Sequence, residues 1–454
     1  MKNNKILYTL FAGIFLLSSC NSGLDLAPIS EIGSNGFYAN TEQVETGVYA
    51  IYDGMQAMVQ TEYALTEMRS DNSKTRLSEG EGAQFESMNV DPSNSTVSTY
   101  WANNYNIIFR ANTVLAHLSA VTVDTKKSQF EGEAKFGRAL ANFNLVRAFG
   151  DVPLITAVIT AAEAKTVTRT PKAEVYTAII NDLKDASTLL SARDAKTEGR
   201  ATKGAASALL GKVYLTLGDY ANALLALNAV STTDYSIIAT YNDVFYKELN
   251  KEIIFAVQFI KDNAADSELF SLDFTSKGRA TGLNLATDDL RNSIDPTDTR
   301  LSTILTYETA ISKWECGKYI LSSSNTSYAG NDWIVLRYAD VLLMKVEAIM
   351  GNNTTTSDPI ALAAYNAVHT RGLTTAVSSV SKTDLLKERR TEFAFENQRL
   401  YDLIRFGQAD AVLGAFASKG EPTFTYKSTA LLLPIPQRER NLNSGLVQNP
   451  GYAN

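Results

Sequence analysis

Glu388 and Glu392 stand four residues apart in a stretch of helical pattern, so both carboxylates fall on one helix face. Paired carboxyl groups are the raw material of acid–base hydrolysis, where a glycoside-cleaving pair flanks the bond at roughly 5 to 9.5 Å. Arg389, Arg390, Arg399 and Arg405 interleave this pair, and that pattern predicts an ion-paired scaffold helix instead. Asp295-Pro-Thr-Asp298, followed by Arg300, lacks the Asp-x-Asp-x-Asp-Gly order of a calcium loop and reads as a capped turn. The two histidines, His117 and His369, fall in separate predicted helices, and no His/Cys/Asp group has metal-ligand spacing. His117, between Leu115 and Leu118, reads as a packing residue. The glycines of 204–212 are wrongly spaced for a phosphate loop, and Val213 stands where Ser or Thr is required. No Gly-x-Ser-x-Gly elbow occurs. The expectation is therefore no catalytic set, no metal and no cofactor.

Cys20 is the one residue whose surroundings ask for covalent chemistry. Two lysines within Met1–Lys5 precede an apolar run from Ile6 to Leu17, which is shorter than the about 20 residues needed to span a bilayer. Leu17-Ser-Ser-Cys20 then resembles a bacterial lipobox, which makes residues 1–19 a signal peptide and Cys20 a lipidated N-terminus. Cys316 is the only other cysteine, so no disulfide is expected and stability must come from the core. The composition, 45% apolar and 20% charged, can build one. A net charge of −7 argues against a nucleic-acid partner, which would need basic patches.

The elements that must position any site are mostly helical. Residues 20–40 read as an extended tether, and 41–454 as one globular domain. Apolar residues recur at helical spacing over about 41–60, 98–149, 171–230 and 335–406. Between Thr202 and Val230, Leu210, Gly211, Tyr214, Gly218, Asp219, Tyr220, Ala223 and Leu227 follow the tetratricopeptide pattern. Because one repeat cannot bury its own apolar face, the flanking helices must stack on it as a solenoid, closed by a long helix over Thr383–Phe406. Residues 231–332 carry a strand-like run, Glu252 to Ile260, within irregular Gly-, Asn- and Asp-rich sequence, and about 61–97 has the same irregular character. The fold class expected is mainly α: a tetratricopeptide-like scaffold with loop-rich insertions and a few short strands.

Blocks in a fixed order along the chain carry a family resemblance: Ser19-Cys20 with Leu24, Asp25 and Pro28; Trp101, Tyr105, Ile108, Ala111 and Asn112; Arg138 with Leu145-Val-Arg147 and Phe149-Gly-Asp-Val-Pro-Leu154; Leu336 to Met344 with Glu347 and Ala348; Glu388-Arg-Arg390, Glu392, Phe395, Glu396, Arg399, Asp402, Leu403 and Arg405; and Leu433-Pro-Ile-Pro-Gln437 to Tyr452. Together they resemble the SusD/RagB family. The resemblance implies a non-enzymatic protein that is lipid-anchored in the outer membrane and faces the cell surface. It also implies two partners, an oligosaccharide or, more rarely, a peptide, and a SusC-like TonB-dependent outer-membrane transporter that receives it. A surface glycoside hydrolase and a protein-binding scaffold are the alternatives.

A sugar ring presents flat C–H faces and a rim of hydroxyls, so its site wants aromatic side chains for the faces and polar ones for the rims. Trp314, in the irregular insertion beside Ser312, Lys313 and Glu315, is the aromatic candidate, with local packing as the alternative. Trp101 lies in a helix, where core packing competes with ligand contact, and Asn104 follows it by about one turn. Arg69, Asp71 and Asn72 are the candidate rim binders, against a merely solvated loop. Trp333 opens an apolar block and reads as structural.

Overall fold

The structure, a computed structural model, describes residues 37–75, 80–195, 197, 199–275, 284–319, 328–419 and 424–453. The expected signal peptide, Cys20 and most of the expected tether lie outside these residues. Helix α1, Thr41–Leu65, starts where the Asn40 side chain accepts the Gln43 N–H. Asn94 likewise caps α2, Ser95–Ala116, and α3, Asp124–Phe149, stops at Gly150 with φ 74°. Helices α4, Lys172–Leu189, α5, Lys203–Thr216, and α6, Tyr220–Asn228, continue the series. Each packs on the one before it, and α6 then meets α8, Tyr338–Met350, which packs on α9, Pro359–Gly372. This is the solenoid expected from the repeat. A β-carbon placed on Gly211 would lie 2.6 Å from Leu227, so the α5–α6 pair can close only on a glycine. Gly218 makes the turn between them at φ 73°.

The insertion contributes short antiparallel pairs. Strand β1, Ser73–Lys74, pairs with β3, Leu285–Ala286, and β2, Ile253–Val257, pairs with β6, Trp333–Arg337. Strands β4, Leu305–Glu308, and β5, Lys313–Cys316, form a hairpin, and α7, Asp288–Ser293, follows β3. Three expectations need correction. The helix expected from 335 begins only at Tyr338, because the apolar run Trp333 to Leu336 finds a strand partner in the insertion. Helix α1 runs to Leu65, and a further helix, Gly80–Glu86, occupies part of the stretch read as loop. The long helix over Thr383–Phe406 is broken into α10, Lys382–Glu392, and α11, Arg399–Arg405, with Phe395 and Asn397 at φ 64° and 58°. Its break is held by tertiary contacts: the Phe395 N–H donates to Glu67 (2.9 Å), and Glu396 accepts from Lys318 (2.6 Å) and Arg337 (2.7 Å).

A buried charge network joins solenoid to insertion. Arg337 donates to Glu392 (2.5 Å) and Glu252 (2.8 Å). Arg300 bridges Glu388 (2.6 Å) and Glu392 (2.7 Å), and Arg371 also contacts Glu392 and Glu252. The Glu388–Glu392 pair is thus the ion-paired scaffold its neighbours implied, and neither side chain is more than 5% exposed. One residue along, Arg389 turns to Asp402 (2.8 Å) and to Asp340 (2.8 Å), which also takes Lys212 (2.7 Å). Burial pushes the Glu392 carboxyl up, but Arg371, Arg337 and Arg300 outweigh it and hold the group well below the carboxylate range.

Two substitutions test this architecture. Gly211→Leu should overpack the α5–α6 pair and lower the unfolding free energy by about 1 to 3 kcal/mol in denaturant melts. Glu392→Gln leaves three buried guanidinium groups short of a counter-charge and should cost about 3 to 5 kcal/mol at pH 7. Because the folded-state pKa of Glu392 is depressed, its contribution is present above the ordinary 4.5 and is lost as pH falls further. The difference between parent and variant should therefore narrow in acid melts.

Candidate functional site

An open cleft of about 590 Å³ lies among the described residues. Lys74 of β1, Asp288 and Asp289 of α7, Arg390 of α10 and Arg399 of α11 bring charge to it, with Asp71 at the same wall. Opposite in character are Ala411, Val412, Ala415 and Phe416 of α12, Ala409–Lys419, together with Phe424, whose ring meets Phe416 edge-on at 6.4 Å. Hydrocarbon and fixed charge therefore share one cleft, the combination an amphiphilic ring needs.

Asp71 is 2% exposed and its carboxylate is fully engaged. Arg399 grips both oxygens, at 2.7 and 2.8 Å, and Arg390 lies at 3.0 Å. Arg390 also donates to Asn72 Oδ1 (2.8 Å) and Asp289 (2.7 Å). Burial raises the Asp71 carboxyl, yet Arg399 and Arg390 outweigh that and leave it lowered. Asn72 is wholly buried, its amide donating to Glu67 (3.2 Å), and it shapes the wall from behind.

The other residues singled out in the sequence do not meet there. Arg69 is 1% exposed, and its guanidinium donates to the Leu65 carbonyl (3.0 Å) and to that of Ala430, so in this structure it is an interior tie and not a rim group. Trp101 packs edge-on to Phe149 at 4.9 Å, and Asn104, fully buried, donates to the Tyr100 carbonyl (2.9 Å). One edge of Trp101 reaches a second cavity, of about 430 Å³, between α2, residues 153–167 and the C-terminal segment. That groove is lined almost wholly by aliphatic and aromatic groups, which suits hydroxyl rims less well than the cleft does.

Trp314 lies on β5, half-buried, against Tyr307 at 4.9 Å, with the Arg291 guanidinium 5.2 Å from the ring. Tyr307 is 46% exposed. Arg291 is two residues beyond Asp289, and two helical steps turn a side chain by about 200°, so α7 separates the hairpin from the cleft. The aromatic pair flanks the cleft and does not line it. Phe416 and Phe424 were missed in the sequence, where they sit among small residues with no periodic excess of aromatics. His117 and Trp333 are packing residues: His117 stacks on Tyr38 at 4.8 Å and Trp333 on Tyr319 at 5.5 Å.

A model of the SusD family matches residues 306–452. A second model, described as starch-binding associating with outer membrane, matches residues 24–215. The chain belongs to the SusD-like family. Its relatives include SusD-like protein P2 of Formosa agariphila, 25% identical over the whole of both chains. A SusD-like protein of Bacteroides ovatus is 26% identical over 88% of this chain and 82% of its own. A solved structure, a laminarin-binding SusD-like protein, superposes with TM-score 0.80 at 26% identity, covering 91% of this chain and all of that one. The SusD-like assignment accounts for the spread of the motif blocks, since the two matched segments contain most of them. No helix among the described residues is long and apolar enough to cross a membrane.

Glu67 couples the cleft wall to the α10–α11 break, since one carboxylate oxygen takes both the Asn72 amide and the Phe395 N–H. The other oxygen is buried with no hydrogen-bond partner among the described residues, and burial pushes the group up to about 7. A carboxyl whose folded pKa is raised makes stability fall as pH climbs from its unfolded value near 4.5 to about 7. Glu67→Gln should flatten that slope and raise the melting temperature at pH 8, as thermal melts from pH 5 to 8 would read out.

Proposed function

We propose that this chain is a non-enzymatic outer-membrane lipoprotein, anchored through Cys20, that binds an oligosaccharide and passes it to a SusC-like TonB-dependent transporter. The observation that carries the binding reading is the cleft, in which the Phe416–Phe424 wall suits the C–H faces of a sugar and the charged wall suits its rim. The laminarin-binding relative supports a carbohydrate over a peptide. A binding role, without hydrolysis, is supported by how the cleft's carboxylates are used. Asp71 and Asp289 are held by arginine, and Glu86 accepts the Thr75 N–H at 2.9 Å.

In this reading the Tyr307–Trp314 pair is an outer platform, on which a chain leaving the cleft past α7 stacks a further ring. An open site with few anchors gives modest affinity, which suits a protein that must release its cargo. Titration calorimetry with a panel of oligosaccharides and peptides, with product analysis, tests the proposal. Binding of a glycan without turnover is expected, and Trp314→Ala should weaken it by about 2 kcal/mol, roughly thirtyfold. Peptide binding alone, or cleavage of the glycan, would overturn the reading. Unchanged affinity in the Trp314 variant would remove the platform and leave the cleft.

A further inference from the structure

The two arginines at the cleft wall are asymmetrically used. Arg399 spends Nε and Nη2 on Asp71. Arg390 spends Nε on Asn72 and Nη2 on Asp289 and the Asp71 carbonyl. The Nη1 of neither has a hydrogen-bond partner among the described residues, although the side chains are only 9% and 7% exposed and both line the cleft. Each Nη1 carries two N–H donors. The buried carboxylate of the same wall is engaged, because both Asp71 oxygens already accept from guanidinium groups, while the exposed acids Asp288 and Asp289 lie on α7.

A wall whose buried guanidinium donors are spare while its buried carboxylate is engaged discriminates among sugar substituents. A hydroxyl placed there could accept, but its own proton would compete with two guanidinium groups for the Asp71 carboxylate. A carboxylate or sulfate group only accepts, and its bonds to guanidinium are charge-assisted and can be bidentate. The acids Asp71, Glu86, Asp288 and Asp289 match the four cations in number. Their placement differs, however: Asp289 is paired with Arg390 at 2.7 Å and Glu86 accepts the Thr75 N–H, while Lys74 and Lys419 add cations at the same cleft.

We propose that Arg390 and Arg399 form a subsite for an anionic substituent, a carboxylate or a sulfate ester, on one sugar of the bound oligosaccharide. The proposal rests on the oligosaccharide-binding reading and names its substrate class. Calorimetry on the full mature chain would compare an oligouronate, a sulfated oligosaccharide and a neutral oligosaccharide of equal length. At least one anionic ligand should bind about tenfold or more tightly than the neutral one at low salt, and the preference should shrink as salt is added. The two anionic ligands separate carboxylate from sulfate. Arg390→Lys, checked for folding by its melting temperature, should cut the anionic-to-neutral affinity ratio about tenfold, since lysine offers no forked geometry. Lys419→Gln, at an exposed position, should lower anionic affinity about threefold and reduce its salt dependence. Equal or tighter binding of the neutral ligand would overturn the subsite and leave the oligosaccharide reading intact. Failure of all three ligands to bind would count against both.

Discussion

The carboxylate of Glu392 is the point on which the two halves of the molecule meet. It is fully buried and surrounded by Arg300 from the insertion, Arg337 at the end of β6 and Arg371 from the solenoid. Desolvating so many charges is costly, and only geometry that pairs each of them makes the arrangement tolerable. The result is positional specificity more than net stability: a shifted insertion would leave charges unpaired in the interior. Since successive helical residues point about 100° apart, Glu388, Arg389 and Arg390 face three different regions from one turn of α10. Glu388 meets the insertion, Arg389 the solenoid helix carrying Asp340, and Arg390 the cleft. One turn thereby sets the mutual placement of scaffold, insertion and site.

This explains how the cleft can be rigid while its walls come from irregular sequence. Strands β1 and β3 are two residues each, too short to hold a site alone. Their position comes from the Thr287 N–H on the Asn72 carbonyl (3.0 Å) and from Arg390 on the Asn72 side chain. Arg390 and Arg399 thus support the wall through their guanidinium groups while lining the cavity.

The scaffold was legible because its physics is local. Gly211, Tyr214, Gly218 and Ala223 have spacings that only a close helix pair requires, and α5 and α6 follow them. The break between α10 and α11 was not legible, since Thr383–Phe406 is rich in helix formers and the contacts that open it, from Glu67 and Lys318, come from distant segments. Likewise, Trp333 to Leu336 reads equally as helix or strand until its partner at 253–257 is known. At the site, Asp71 was visible as a polar residue in an irregular stretch, but its burial depends on Arg399. Arg69 and Asn104 carry the same polar signal, and nothing local distinguishes an interior tie from a rim group.

The pairing of Arg390 with the Asp71 carbonyl joins residues 319 positions apart. A chain made in N-to-C order therefore carries the solenoid's first helices long before it has a cleft. Non-local closure of this kind is slow compared with helix pairing. The nascent protein consequently lacks the cleft until its last quarter has returned to the first, so the site is confined to completed molecules.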